Sequence, residues 1–248
     1  MGCYAGRELS NAKFREAEEE MKAGEAKIGF RAISAQEVFL LLNNYKPASS
    51  VSRRVMERLL GKLGFADAEK TLQAGPMHNL LAAMQDGKGY SIKKLTLLAV
   101  LLSFDIDYTK AMILFTTYHI SPGPTMTNSE TEQLAADAIH LALNLLVHYV
   151  ESEAKARQDS EVQRKLGHYA SVLLYGDEVV MVKLQRHLQT GGEPTEVEFL
   201  HKLASMPGSL LCSAHRLREY TYSIAAIKRR KQLEVGGQSN LYTTKEGK

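Results

Sequence analysis

Cysteine is scarce. Only Cys3 and Cys212 occur in 248 residues, so no disulfide framework can staple the chain, and the composition is that of a reduced, cytoplasmic protein. No uninterrupted apolar run reaches the roughly 18 residues a membrane-spanning helix needs, which leaves a soluble chain. Charge of one sign is in little excess: 31 Lys and Arg against 28 Asp and Glu leave +3, too small a surplus to make nucleic acid the default partner. Convincing alternating strand patterns are missing, and so are H-E-x-x-H, C-x-x-C, G-x-S-x-G, a Walker loop and G-x-G-x-x-G. The nearest glycine-rich string, DGKGY at 86–90, precedes a helical pattern but follows no strand. Without a catalytic or cofactor-binding constellation, a non-enzymatic protein is expected.

The first 25 residues lack the apolar centre of a secretory signal and are too acidic for a transit peptide. Gly2 and Cys3 supply what a doubly acylated start needs, an amine for myristate and a thiol for palmitate. Gly6 stands where that motif has Ser or Thr. A tether to a membrane through this terminus is one expectation.

What is present is helical periodicity, and the chain reads as all-α. Residues 8–23 are helix-forming. Ser34 and Glu37 form a capping box that opens a helix over 34–44, and Val51, Val55, Leu59 and Leu63 recur at a spacing of four. Pro76 sits at a favourable first helical position. Two apolar helices, 91–103 and 107–119, flank an acidic turn at Asp105–Asp107. Pro122, Gly123 and Pro124 form the strongest breaker cluster, which suggests two helical halves, 1–121 and 122–248. Thr127 and Glu130 open a long helix to about residue 157. Further helices are expected near 161–175, 177–189, 195–205 and 209–232, separated by Gly176, Gly191-Gly192 and Pro207-Gly208. The last carries one apolar stripe of Leu210, Ala214, Leu217, Thr221, Ile224 and Ile227, and ends in Lys228-Arg229-Arg230-Lys231 beside the negative pole of the helix.

Four segments repeat a breaker-rich loop that leads into an apolar helix: Ala32–Leu42, Gly89–Ser103, Pro124–Ile139 and Gly191–Leu203. They resemble the EF-hand superfamily of calmodulin and calcineurin-B-like proteins, and Tyr90–Tyr118 resembles the stretch that joins its second and third hands. The resemblance implies paired helix-loop-helix units. A calcium loop of this family places oxygen ligands at its first, third, fifth and ninth residues, glycine at the sixth and a bidentate glutamate at the twelfth. Counted back from Glu37, the leading ligands are Ala26, Ile28 and Phe30, with Arg31 in place of glycine. From Glu130 they are His119, Ser121 and Gly123; from Glu198 they are His187, Gln189 and Gly191. The second loop has no unique frame, giving either Gln85, Gly87 and Gly89 or Met84, Asp86 and Lys88. So little charge predicts that calcium is not held at cellular concentration, and Glu37, Glu130 and Glu198 are read as degenerate loop ends. In the family the eighth loop residue makes a short β contact between neighbouring loops. Ile33 and Met126 suit that role, whereas Pro194 has no N–H to donate. Glu37 to Thr96 spans 59 residues and Glu130 to Glu198 spans 68, so extra helices must be inserted.

Of the eight histidines, His140 and His201 complete acid-x-x-His steps with Asp137 and Glu198, the spacing that di-iron bundles use, but two further inward glutamates cannot be placed. The nine methionines are scattered, and Met56, Met84, Met112 and Met181 fall on apolar helical faces. The function expected is a constitutive scaffold. A partner helix or extended segment would lie in a groove formed by Val38, Leu41, Leu98, Leu101, Met112 and Phe115, in a cytoskeletal, ciliary or membrane-associated assembly. A calcium sensor with unorthodox loops and a metal-dependent helical enzyme centred on His140 and His201 are the rivals.

Overall fold

The computed structural model describes the backbone of residues 2–45, 48–87 and 89–242, and the side chains of these residues except 2–11 and 229–242. Among the described residues the regular structure is helical apart from three very short strands, in the order α1 (Gly2–Ala26), α2 (Ala35–Asn43), β1 (Ser50–Val51), α3 (Arg53–Lys62), α4 (Ala68–Thr71), α5 (Pro76–Ala82), β2 (Gln85–Asp86), β3 (Gly89–Ser91), α6 (Ile92–Leu102), α7 (Asp107–Tyr118), α8 (Asn128–Ile139), α9 (Leu146–Ala156), α10 (Ser160–Gln189), α11 (Glu196–Leu203) and α12 (Ala214–Tyr242). The expected all-α class is what is found.

Local chemistry explains where the helices start. Ser34, Thr127 and Thr195 each accept a hydrogen bond from the backbone N–H three residues on, while Glu37, Glu130 and Glu198 reach back to the capping N–H. Asp105, in the link between α6 and α7, also takes the N–H of Ala35, so that link holds the start of α2. Pro76 opens α5 after Gly75 at φ 98°.

Two packing layers result. In one, α2 lies on α6 and α7, α6 on α7 and α8, and α11 on α7. The other is a bundle in which α1 touches α9, α10 and α12, and α10 runs along α8, α9 and α12. A single buried cluster, from Ala17 to Ala225, runs through both layers. It crosses residue 121, and the breaker cluster at 122–124 is the loop between α7 and α8, two helices that pack on each other.

Several expectations require correction. The helices at 161–175 and 177–189 are one 30-residue helix, α10. Gly176 does not break it; a Cβ there would lie 2.6 Å from the Thr221 carbonyl oxygen, so glycine is what lets α12 come close. The long helix after Thr127 forms, but a π-helical segment, His140–Leu145, interrupts it before α9. Leu210 belongs to a separate 3-10 turn, Gly208–Cys212, so the apolar stripe of α12 starts at Ala214 and runs out at exposed Ile227.

Replacing Gly176 by Val should drive α10 and α12 apart and cost about 2–3 kcal/mol. Gly61→Ala, on α3 with no atom within 4 Å of the new methyl, should be neutral or stabilise by about 0.5–1 kcal/mol. Urea midpoints of the two variants would test this contrast.

Candidate functional site

Sequence reasoning singled out four loops, and three of them take part in a β contact. In the first half, β1 and β3 pair antiparallel, Val51 opposite Tyr90 and Ser50 opposite Ser91, just before α3 and α6. Gly89 lets the two strands close, because a Cβ would lie 2.9 Å from the Val51 carbonyl oxygen. Ile33, expected to make this contact, lies in no strand. The first loop counted back from Glu37 is the connection between α1 and α2, and the loop that pairs is the one after α2.

In the second half, the loop between α7 and α8 meets the loop between α10 and α11 at an isolated bridge, Thr125 opposite Thr195. Met126 N–H donates to the Pro194 carbonyl at 2.9 Å. Pro194, lacking an N–H, thus supports the contact as an acceptor only. Gln189 Nε2 adds a bond to Glu132 Oε1 at 3.0 Å across the same gap.

Glu130 is the centre of the α7–α8 loop. Its Oε1 accepts from Ile120 N (2.8 Å), Ser121 N (2.9 Å) and Ser121 Oγ (2.8 Å), and its Oε2 accepts from Thr127 N at 2.7 Å. Burial alone would raise its pKa. The N–H groups of Ile120 and Thr127 and the hydroxyl and N–H of Ser121 outweigh that and hold it down at about 2. The carboxylate therefore occupies its own loop, drawing backbone N–H groups inward. Ser121, an expected leading ligand, is spent on it. His119 packs on Phe115, with ring centroids 4.8 Å apart, and Gly123 brings no side chain.

The other sequence-derived positions fall as follows. Glu37 and Glu198 serve their capping boxes. Ile28 and Phe30 are buried, and Ala26 ends α1. His187 Nε2 lies 2.9 Å from the Lys202 carbonyl, and Lys202 Nζ donates to the Leu188 carbonyl at 2.6 Å, fastening α10 to α11. Met84 is buried, Gln85 and Asp86 are exposed in β2, and Lys88 lies outside the described residues. His140 Nδ1 faces Asn144 Nδ2 at 3.4 Å within the π segment, and His201 is exposed on the last turn of α11. Among the described residues, no three or more His, Cys, Asp or Glu side chains converge as a metal site would require. The side chains of Gly2 and Cys3, proposed for acylation, lie outside the described residues, as do those of Arg229, Arg230 and Lys231.

The expected groove is occupied by the fold itself. Val38, Leu98, Leu101 and Phe115 are buried, Leu41 packs against the core, and only Met112 is exposed. Phe199 of α11 packs on Phe115, with ring centroids 5.6 Å apart. Apolar surface is exposed nearby, at Phe104, Ile106 and Tyr108 in and after the α6–α7 link.

Sequence reasoning missed a buried charge cluster. Arg218 of α12 is fully buried; its Nε donates to Glu18 Oε1 (2.7 Å), its Nη2 to Glu18 Oε2 (3.2 Å) and its Nη1 to Glu25 Oε1 (2.6 Å). His215 and the Tyr169 hydroxyl complete the shell of Glu18. Burial would raise the Glu18 pKa, but the Arg218 charge and the bonds from His215, Arg218 and Tyr169 bring it to about 2. A carboxylate so fully engaged is a counter-ion, not a proton acceptor. Lys110 is a second buried cation, its Nζ donating to the carbonyls of Ser103 (2.7 Å) and Cys212 (2.9 Å). Both look like ordinary surface residues in the sequence.

No family model, curated protein or solved structure matches the chain. No described helix is long and apolar enough to cross a membrane.

Glu130→Gln should cost about 2 kcal/mol at neutral pH, since the amide keeps the shape but gives up the charge on four hydrogen bonds. Because the folded pKa lies below 4.5, the stabilisation from Glu130 is complete above that pH and lost as the pH falls toward about 2. Chemical denaturation of both proteins across that range should show their difference shrinking in acid.

Proposed function

We propose that this chain is a non-catalytic, EF-hand-like scaffold that holds a protein partner constitutively, without a calcium-dependent step. The observation that carries the reading is Glu130, at the end of its loop, satisfied by that loop's own N–H groups. An ion-driven opening needs differential binding energy between two states. A loop whose terminal carboxylate is already bonded has little to offer an ion. Two β-linked loop pairs and inserted helices between α8 and α11 fit the EF-hand-like reading.

The partner surface in this proposal moves from the filled groove to the exposed apolar side chains Phe104, Ile106, Tyr108 and Met112. Assembly with cytoskeletal, ciliary or membrane-associated components stays within the proposal, the last favoured by Gly2 and Cys3 if they carry lipid.

Tagged protein in its native cells, crosslinked and recovered in chelator or in millimolar calcium, should retain the same partner equally in both. A Phe104→Asp, Ile106→Asp variant should lose that partner at an unchanged melting temperature. Recovery only with calcium would establish the sensor instead. No partner under either condition would end the scaffold reading.

A further inference from the structure

A cleft of about 290 Å³ opens between α1, α10 and α12, lined by Lys13, Glu16, Arg164, Lys165, His168, Tyr169 and Tyr222. Its charges are unequally engaged. Lys165 is committed to Glu161 at 3.0 Å and Glu16 at 3.7 Å, which also accounts for the one acidic side chain of the lining. Lys13, Arg164 and His168 are exposed and make no side-chain hydrogen bond or ion pair among the described residues. Beneath them lie two buried aromatic rings, Tyr169 and Tyr222, with centroids 5.9 Å apart at 23°, backed by Phe14. The cleft thus has an apolar floor and a rim that carries two unpaired cations, Lys13 and Arg164, and an imidazole.

We propose that this cleft binds a phosphate monoester, its phosphate held by Lys13, Arg164 and His168 and the group bearing it resting on the Tyr169–Tyr222 pair. An ammonium, a planar guanidinium fork and an imidazole line one cleft, and together they carry more donors than a flat carboxylate can use and enough for a tetrahedral dianion with three free oxygens. The volume leaves room for a carrier the size of a sugar or aryl ring beside the phosphate. The site is remote from the loop pairs and does not depend on the scaffold reading. The monoester could be a soluble metabolite or the headgroup of a lipid such as phosphatidic acid, with the same chemistry at the cleft.

Titration of the full chain with inorganic phosphate and with phenyl phosphate, followed by calorimetry, separates the two parts of the site. Phenyl phosphate should bind about tenfold more tightly, and a Lys13→Gln, Arg164→Gln variant should lose about tenfold in affinity for it. An Arg54→Gln, Lys62→Gln variant, with the same loss of charge on α3, should bind as the parent does. All four side chains are exposed, so equal melting temperatures are expected. Phosphatidylcholine vesicles doped with phosphatidic acid distinguish the sources: retention that depends on Lys13 and Arg164 supports the lipid, and phenyl phosphate binding without retention supports a soluble ligand. Absence of binding to either probe, or equal losses in both double variants, would overturn the proposal.

Discussion

The architecture turns on one buried cation. Arg218 lies between Glu18 and Glu25, two carboxylates two helical turns apart on one face of α1, and draws the first and last helices onto α10. Removing three charges from water costs several kcal/mol each, and apolar residues of the same volume would pack these helices about as firmly. What the cluster adds is position. A Leu stripe tolerates small rotations of α12, whereas a guanidinium fork meets both carboxylates at one rotation and one axial height. Gly176 completes the arrangement by letting the α12 backbone come to within contact of α10.

The same solution recurs at the loops. An ion-binding loop points oxygens inward toward a cation. The α7–α8 loop does the opposite, turning the N–H groups of Ile120, Ser121 and Thr127 toward the Glu130 carboxylate. The centre of this loop is an anion among donors. Lys110 is the converse case, a cation seated among the carbonyls of Ser103 and Cys212 where the α6–α7 link meets the 3-10 turn. In both instances backbone groups of the chain supply most of the partners of a buried charge.

Much of this was legible from the residues alone, where the physics is local. Ser34–Glu37 and Thr127–Glu130 announce capping boxes within four residues, and both form. The apolar helices on either side of Asp105–Asp107 were equally plain. Non-local properties were not. Gly176 looks like a stop signal unless Thr221 is known to lie against it, and a π segment leaves no mark in a periodicity of 3.6. Val38, Leu98 and Phe115 read as apolar from the sequence, but nothing in their spacing tells whether a stranger or the chain itself buries them. Arg218 reads as a solvated cation because its two carboxylates lie some 200 residues earlier.

That distance bears on how the molecule comes into being. As the polypeptide leaves the ribosome, Glu18 and Glu25 emerge early and have no guanidinium to face until nearly all the remaining sequence has been made. Closing so long a segment is entropically slow, and local hairpins such as α6–α7 need not wait for it. Local contacts such as α6 on α7 can therefore form early, whereas the bonds from Arg218 to Glu18 and Glu25 can close only once α12 is in place beside α1.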